Sequence, residues 1–122
     1  MLNFIRAQKL ECLYVSEVTL AEIRFGIEMV ADANKRSDLD SWLTNRIRPM
    51  FSQRVLQVSE DILFKWRLLL EGGRKSGHTF SQPDLIIAAT AIHHGLTVVS
   101  CDRSTFDRAQ ASIFDPWSDQ TP

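Results

Sequence analysis

Ser81-Gln-Pro-Asp-Leu-Ile-Ile-Ala-Ala-Thr-Ala-Ile-His-His-Gly-Leu-Thr-Val-Val-Ser-Cys-Asp102 is the stretch that decides the fold. Ser81 suits an N-cap, Pro83 a first turn, and Asp84 the position where a carboxylate meets the positive end of a helix dipole. From Leu85 to Ile92 the helix is apolar almost all the way round, which predicts a helix buried in a layered core. Gly95 is placed to end it as a C′ glycine. Leu96 to Val99 is a short, β-branched apolar run without alternation, the pattern of a parallel strand covered on both faces. Asp102 follows at its carboxyl end. Ligands of open α/β sheets bind outside the carboxyl ends of the strands, so one acid opens this helix and another leaves this strand on the expected functional edge.

Working outward, 122 residues fit one domain over 1–122, large enough for a core without disulfide staples. A hydrophobic fraction of 44% and a charged fraction of 24% exclude neither an enzyme nor a binding module. With a net charge of -1 the chain has no global attraction for nucleic acid. Any such binding falls to the local pairs Arg6 and Lys9, Lys35 and Arg36, Arg46 and Arg48, Arg74 and Lys75, which read as solvated helix faces. Cys12 and Cys101, without a secretory or membrane-spanning stretch, point to reduced thiols in a cytoplasmic protein. Neither has the spacing of a zinc site.

Met1 to Ala7 carries Leu2, Phe4 and Ile5 without a cap, like the tail of a helix. Cys12 to Val15 reads as a strand, and Ser16 turns it into a helix with the stripe Leu20, Ile23, Ile27 and Val30. Asp32 to Ser37 reads as a polar break. Leu39, Trp42, Leu43 and Ile47 then repeat at helical spacing until Pro49, giving a hairpin of two helices. Val55 to Val58 is a second strand, and Ser59 caps a helix with Ile62, Trp66 and Leu69 or Leu70 inward, its end weakened by Gly72 and Gly73. Arg74 to Phe80 reads as a polar loop. A short helical piece follows Asp102 as far as Phe106, and Ser112 to Phe114 makes a last edge strand ended by Asp115-Pro116. The alternation of strand and helix predicts a three-layer α/β/α domain around a parallel sheet.

The third acid of interest is Glu22. Thr19-Leu-Ala-Glu22 fits a capping box and Ser81-Gln-Pro-Asp84 its shorter relative, so each acid has a purely structural reading as a satisfied helix N-terminus. Glu22, Asp84 and Asp102 together weigh against it, because carboxylates gathered at one sheet edge repel unless a cation neutralises them. Magnesium, a hard ion that keeps several waters, needs only a few such ligands. It would lower the pKa of a bound water and stabilise charge on a phosphodiester. His93 and His94 close a helix, where they complement the dipole, and no Gly-x-Ser-x-Gly nucleophile elbow occurs.

Leu13-Tyr-Val-Ser-Glu-Val-Thr-Leu-Ala-Glu-Ile-Arg-Phe-Gly-Ile-Glu28, Asp84-Leu-Ile-Ile-Ala-Ala-Thr-Ala91, Gly95-Leu-Thr-Val-Val-Ser100 and Asp115-Pro-Trp117 stand in register across nearly the whole chain. In these pieces the sequence resembles the PIN-domain ribonucleases, and among them the VapC-type toxins of bacterial toxin-antitoxin pairs. The resemblance implies a magnesium-dependent endoribonuclease, with manganese as the alternative ion. It puts Glu22 and Asp84 on the family's second and third acidic positions and Asp102 on a fourth, more variable one. It further implies RNA as substrate, a VapB-like antitoxin as partner, a homodimer, and no membrane association. The family opens with a central strand carrying Asp-Thr-Asn, whose Asp is the first metal ligand, and no such stretch precedes Glu22. By that measure the chain lacks the family's first strand and turn, more than the about five or six residues of one strand. The resemblance therefore carries a second reading, a catalytically impaired module that binds a cognate antitoxin.

Overall fold

The computed structural model describes residues 12–100 and 102–115. The helical tail expected at Met1 to Ala7, Cys101, and the Pro116-Trp117 pair lie outside them. The contacts divide the chain after Gln57 into two compact units.

In the first unit, β1 (Val15–Ser16) runs directly into α1 (Glu17–Glu28). Ser16 is the last strand residue and the N-cap at once, its hydroxyl accepting from the Val18 N–H at 3.1 Å. The helix therefore starts three residues before the Thr19 box, and its stripe buries Leu20 and Ile27. Asp32 to Ser37 is a helix start instead of a polar break. Asp32 caps α2 (Ala33–Trp42) by accepting from the N–H groups of Asn34 and Lys35, which outweighs the polarity of the turn that follows. Pro49 does not end the run. It has no N–H to give to the carbonyl four residues earlier, and the chain passes through a π-helical turn over Leu43–Ile47, with Arg48 N–H reaching the Leu43 carbonyl, into α3 (Arg48–Met50). Leu20, Ile27 and Leu43 form the core, with Val15, Ile23, Leu39 and Ile47 against it. β2 (Val55–Leu56) pairs in parallel with β1, Val15 opposite Val55. Arg54 ties the pair down, donating from Nε to the Leu13 carbonyl at 3.0 Å and from Nη2 to the Met50 carbonyl.

In the second unit, Ser59 caps α4 (Glu60–Lys75), its hydroxyl accepting from Ile62 N–H at 3.3 Å. The helix runs through both Gly72 and Gly73. Gly73 is buried because a β-carbon there would stand 2.6 Å from Cε2 of Phe80: the missing side chain lets the following loop fold back on the helix. α5 (Gln82–His94) follows, with Pro83 in its first turn and Gly95 at φ 66° behind its last. Leu96 N–H returns to the Ala91 carbonyl at 2.8 Å and closes the end. Leu85, Ala88, Ala89, Thr90 and Ala91 are all buried, as the apolar run requires. β3 (Val98–Val99) pairs in parallel with β4 (Ile113–Phe114), joined by α6 (Arg103–Arg108). β3 is shorter than the run from Leu96, and one of its faces is open. Val98 is 8% exposed and Val99 41%, because alternate side chains point to opposite faces and the core of Phe80, Leu85, Ala88, Ala91, Phe106, Ala109 and Ala111 covers only one. The described strands make an α/β architecture of two parallel pairs.

Candidate metal site and family

Glu22 belongs to the first unit; Asp84 and Asp102 belong to the second. Glu22 lies in the second turn of α1, exposed, and among the described residues it has no hydrogen-bond or ion-pair partner. The capping-box reading fails for it, since Ser16 already caps the helix and Thr19 is inside.

Asp84 stands in the first turn of α5, half-buried. Ser81 is the N-cap by backbone conformation, but its side chain makes no capping bond. Asp84 does not take over that duty either, and among the described residues no protein group bonds its carboxylate. A half-buried acid left without a partner is costly unless something else meets it. The rigid first turn, fixed by Pro83 and by Leu85 N–H donating to the Ser81 carbonyl at 3.0 Å, presents that acid in one place.

Asp102, for which the sequence suggested no capping role, is the acid that caps a helix. It is the N-cap of α6: Oδ1 accepts from Thr105 N–H at 3.3 Å and Oδ2 from the Thr105 hydroxyl at 2.9 Å. Its own N–H donates to the Ser100 hydroxyl at 3.0 Å, so both ends of the residue are held. A capping carboxylate keeps further lone pairs. α5 packs against both β3 and α6, so the turn bearing Asp84 and the cap formed by Asp102 are parts of one packed body.

Among the described residues no group of three or more His, Cys, Asp or Glu side chains is drawn together as a metal cage would be. The donor set nevertheless suits magnesium in kind: hard carboxylate oxygens, at least one of them uncommitted, where one or two carboxylates and several waters are the usual complement. His93 and His94 are exposed on the last turn of α5, their rings edge to face at 4.8 Å, which agrees with a helix-ending role.

The sequence reading passed over a cavity of about 330 Å³ in the second unit, lined by Arg67, Leu70, Glu71, Arg74, His78 and Thr79. The signal was present: residues 67, 70, 71 and 74 repeat at the spacing of one helix face. Among the described residues no helix is long and apolar enough to cross a membrane.

A model of the PIN domain matches residues 2–111. The VapC ribonuclease Y4jK of Sinorhizobium fredii is 34% identical over 117 residues, covering 96% of this chain and 84% of that protein. The crystal structure of FitAcB from Neisseria gonorrhoeae superposes with a TM-score of 0.90 at 30% identity, over 96% of this chain and 84% of that one. VapBC-5 from Mycobacterium tuberculosis, a member of the VapBC family of toxin-antitoxin systems, does so with a TM-score of 0.67 at 29% identity, over 83% of this chain and 78% of that one. With its parallel strand pairs and acid-bearing helix starts, the chain belongs to the PIN-domain family, and within it to the VapC type.

Proposed function

We propose that this protein is the toxin of a toxin-antitoxin pair and hydrolyses RNA phosphodiester bonds at a magnesium site in which Asp84 and Asp102 of the second unit are ligands. The observation that carries the reading is the half-buried Asp84 carboxylate, held on a rigid helix start and left without a protein partner. When bound, magnesium would supply a lowered water pKa and charge stabilisation on the phosphate. Asp84 is the ligand whose geometry the fold fixes. Asp102, anchored through Thr105, offers its remaining lone pairs. The similarity to FitAcB and VapBC-5 supports an antitoxin partner, VapB-like in kind. The exposed apolar side chains Phe25 and Met29 on α1, and Leu63, Phe64 and Leu68 on α4, give such a partner, or a second copy of the chain, apolar surface to cover.

Cleavage of single-stranded RNA with and without magnesium tests the reading. Activity should vanish with EDTA and fall on the order of a hundredfold or more in Asp84→Asn, the cost typical of losing one group that positions or stabilises a transition state. Cleavage that survives both changes overturns it. The second reading, an antitoxin-binding module without activity, is the other outcome of that assay. An inactive but folded chain that still binds an antitoxin would establish it.

A further inference from the structure

The cavity beside α4 is basic and built, and nothing in the carboxylate site uses it. One face of the helix supplies Arg67, Leu70, Glu71 and Arg74, and the loop after it supplies His78 and Thr79. Gly73 anchors that loop, its carbonyl accepting from His78 N–H at 2.8 Å and from Ser76 N–H at 3.1 Å. Thirty residues further along the chain, Arg108 Nη1 reaches His78 Nδ1 at 2.6 Å. A guanidinium only donates, so Nδ1 accepts and the ring proton sits on Nε2, available as a donor. Phe80 holds the ring edge to face at 4.5 Å.

The charges lining the cavity are two arginines against one carboxylate, with Arg108 behind His78. Arg74 grips Glu71 through two bonds, at 2.9 and 2.6 Å. That hydrogen bond, with the charges of Arg74, Lys75 and Arg67, holds the Glu71 carboxyl below its ordinary range. Arg67, by contrast, has no carboxylate partner among the described residues and lies over the Trp66 ring at 5.8 Å. Two guanidinium groups, an imidazole N–H and the Thr79 hydroxyl therefore border one cavity, the donor set that fits a phosphate.

We propose that this cavity holds a backbone phosphate of single-stranded RNA, outside the carboxylate site. The proposal rests on the ribonuclease reading for its ligand and on the second unit alone for its geometry. Trp66, next to Arg67, donates from Nε1 to Gln82 Oε1 at 2.9 Å, which ties the cavity wall to the helical turn carrying Asp84. Thr79 and Asp84 are separated by three extended steps and two helical rises, at most about 14 Å. A stacked strand covers that distance in about four nucleotides at roughly 3.4 Å each.

The test is fluorescence anisotropy of a labelled single-stranded oligoribonucleotide with the full chain in EDTA, across a salt series. Arg67→Gln and Arg74→Gln should each weaken binding several-fold and flatten the slope of log K against log salt by about 0.7. Glu71→Gln should tighten binding, a change of the opposite sign that no loss of folding mimics. Arg46→Gln, an exposed charge in the first unit, should leave the slope alone. An unchanged slope in Arg67→Gln and Arg74→Gln, or an equal change in Arg46→Gln, overturns the subsite, and so does a wild-type chain that fails to bind at low salt. Inorganic phosphate that perturbs the His78 imidazole resonances where RNA does not would make this a small-anion site and overturn the RNA assignment. RNA cleavage with an unchanged slope sinks the subsite alone. Slope changes as expected, in a chain that does not cut, sink the nuclease reading and leave the subsite standing.

Discussion

Asp84 and Asp102 are both aspartates at helix starts in one compact unit, yet the structure gives them different work. Asp102 has two bonds to Thr105 to lose, and Asp102→Ala should cost about 1 kcal/mol of stability without magnesium and more with it, since a ligand goes as well as a cap. Asp102→Asn should keep that stability, because asparagine caps as well as aspartate, while removing the charge. Asp84 has no such bonds, so Asp84→Ala should forfeit at most the helix-dipole contribution of about 0.3–1 kcal/mol. It should, however, abolish the rise in melting temperature that magnesium gives the wild type through ligand linkage. Thermal melts of the three variants with and without the ion check both statements, and an equal loss for Asp84→Ala in both conditions returns Asp84 to a structural role. Sequence could name these carboxylates but not rank them. Ser81-x-x-Asp84 looks like a better cap than Asp102 does, and only the backbone shows which oxygens meet an N–H.

At the scale of elements, local chemistry made α5 readable from end to end. Ser81, Pro83 and Gly95 each act within a turn of where they stand, and the helix bounds follow from them. The failures come where a distant residue decides. Gly72-Gly73 reads as a weak helix end, but Phe80 folds back over Gly73 and keeps it inside the helix. The two glycines should respond oppositely to alanine. Gly72 has nothing within 4 Å of a β-carbon, so Gly72→Ala should stabilise by up to about 1 kcal/mol through helix propensity. Gly73→Ala should destabilise, since overpacking costs typically about 1–3 kcal/mol against the same gain. Denaturant midpoints of the two variants measure the difference. Pro49 misled for a related reason: a proline stops an α-helical hydrogen-bond pattern, but a π-helical turn shifts the pattern around it.

Across the whole molecule, the α/β class and the parallel strand pairing were visible in the alternation of apolar runs and capped helices, because burial drives both. Glu22, Asp84 and Asp102 were legible only as residue types in order along the chain, since spacing in sequence does not fix distance between side chains on separate elements. The basic cavity was half legible: Arg67, Leu70, Glu71 and Arg74 share a helix face, but nothing in their spacing brings His78 and Thr79 of the following loop to it. Leu85, with no exposed surface, sits at the centre of the larger core, and Leu85→Ala should cost about 2–5 kcal/mol by thermal or chemical denaturation. Among the described residues the two cores are unequal: Leu20, Ile27 and Leu43 anchor the first unit, whereas eight buried residues from Phe80 to Ala111 anchor the second. That inequality has a kinetic side. Transient opening events need to break far fewer apolar contacts around α1 and α2 than around α5. Backbone amides of α1 should therefore exchange with deuterium while those of α5 are still protected, and a protease should make its first cut before Gln57, leaving the segment that carries Asp84 and Asp102 as the longer-lived fragment.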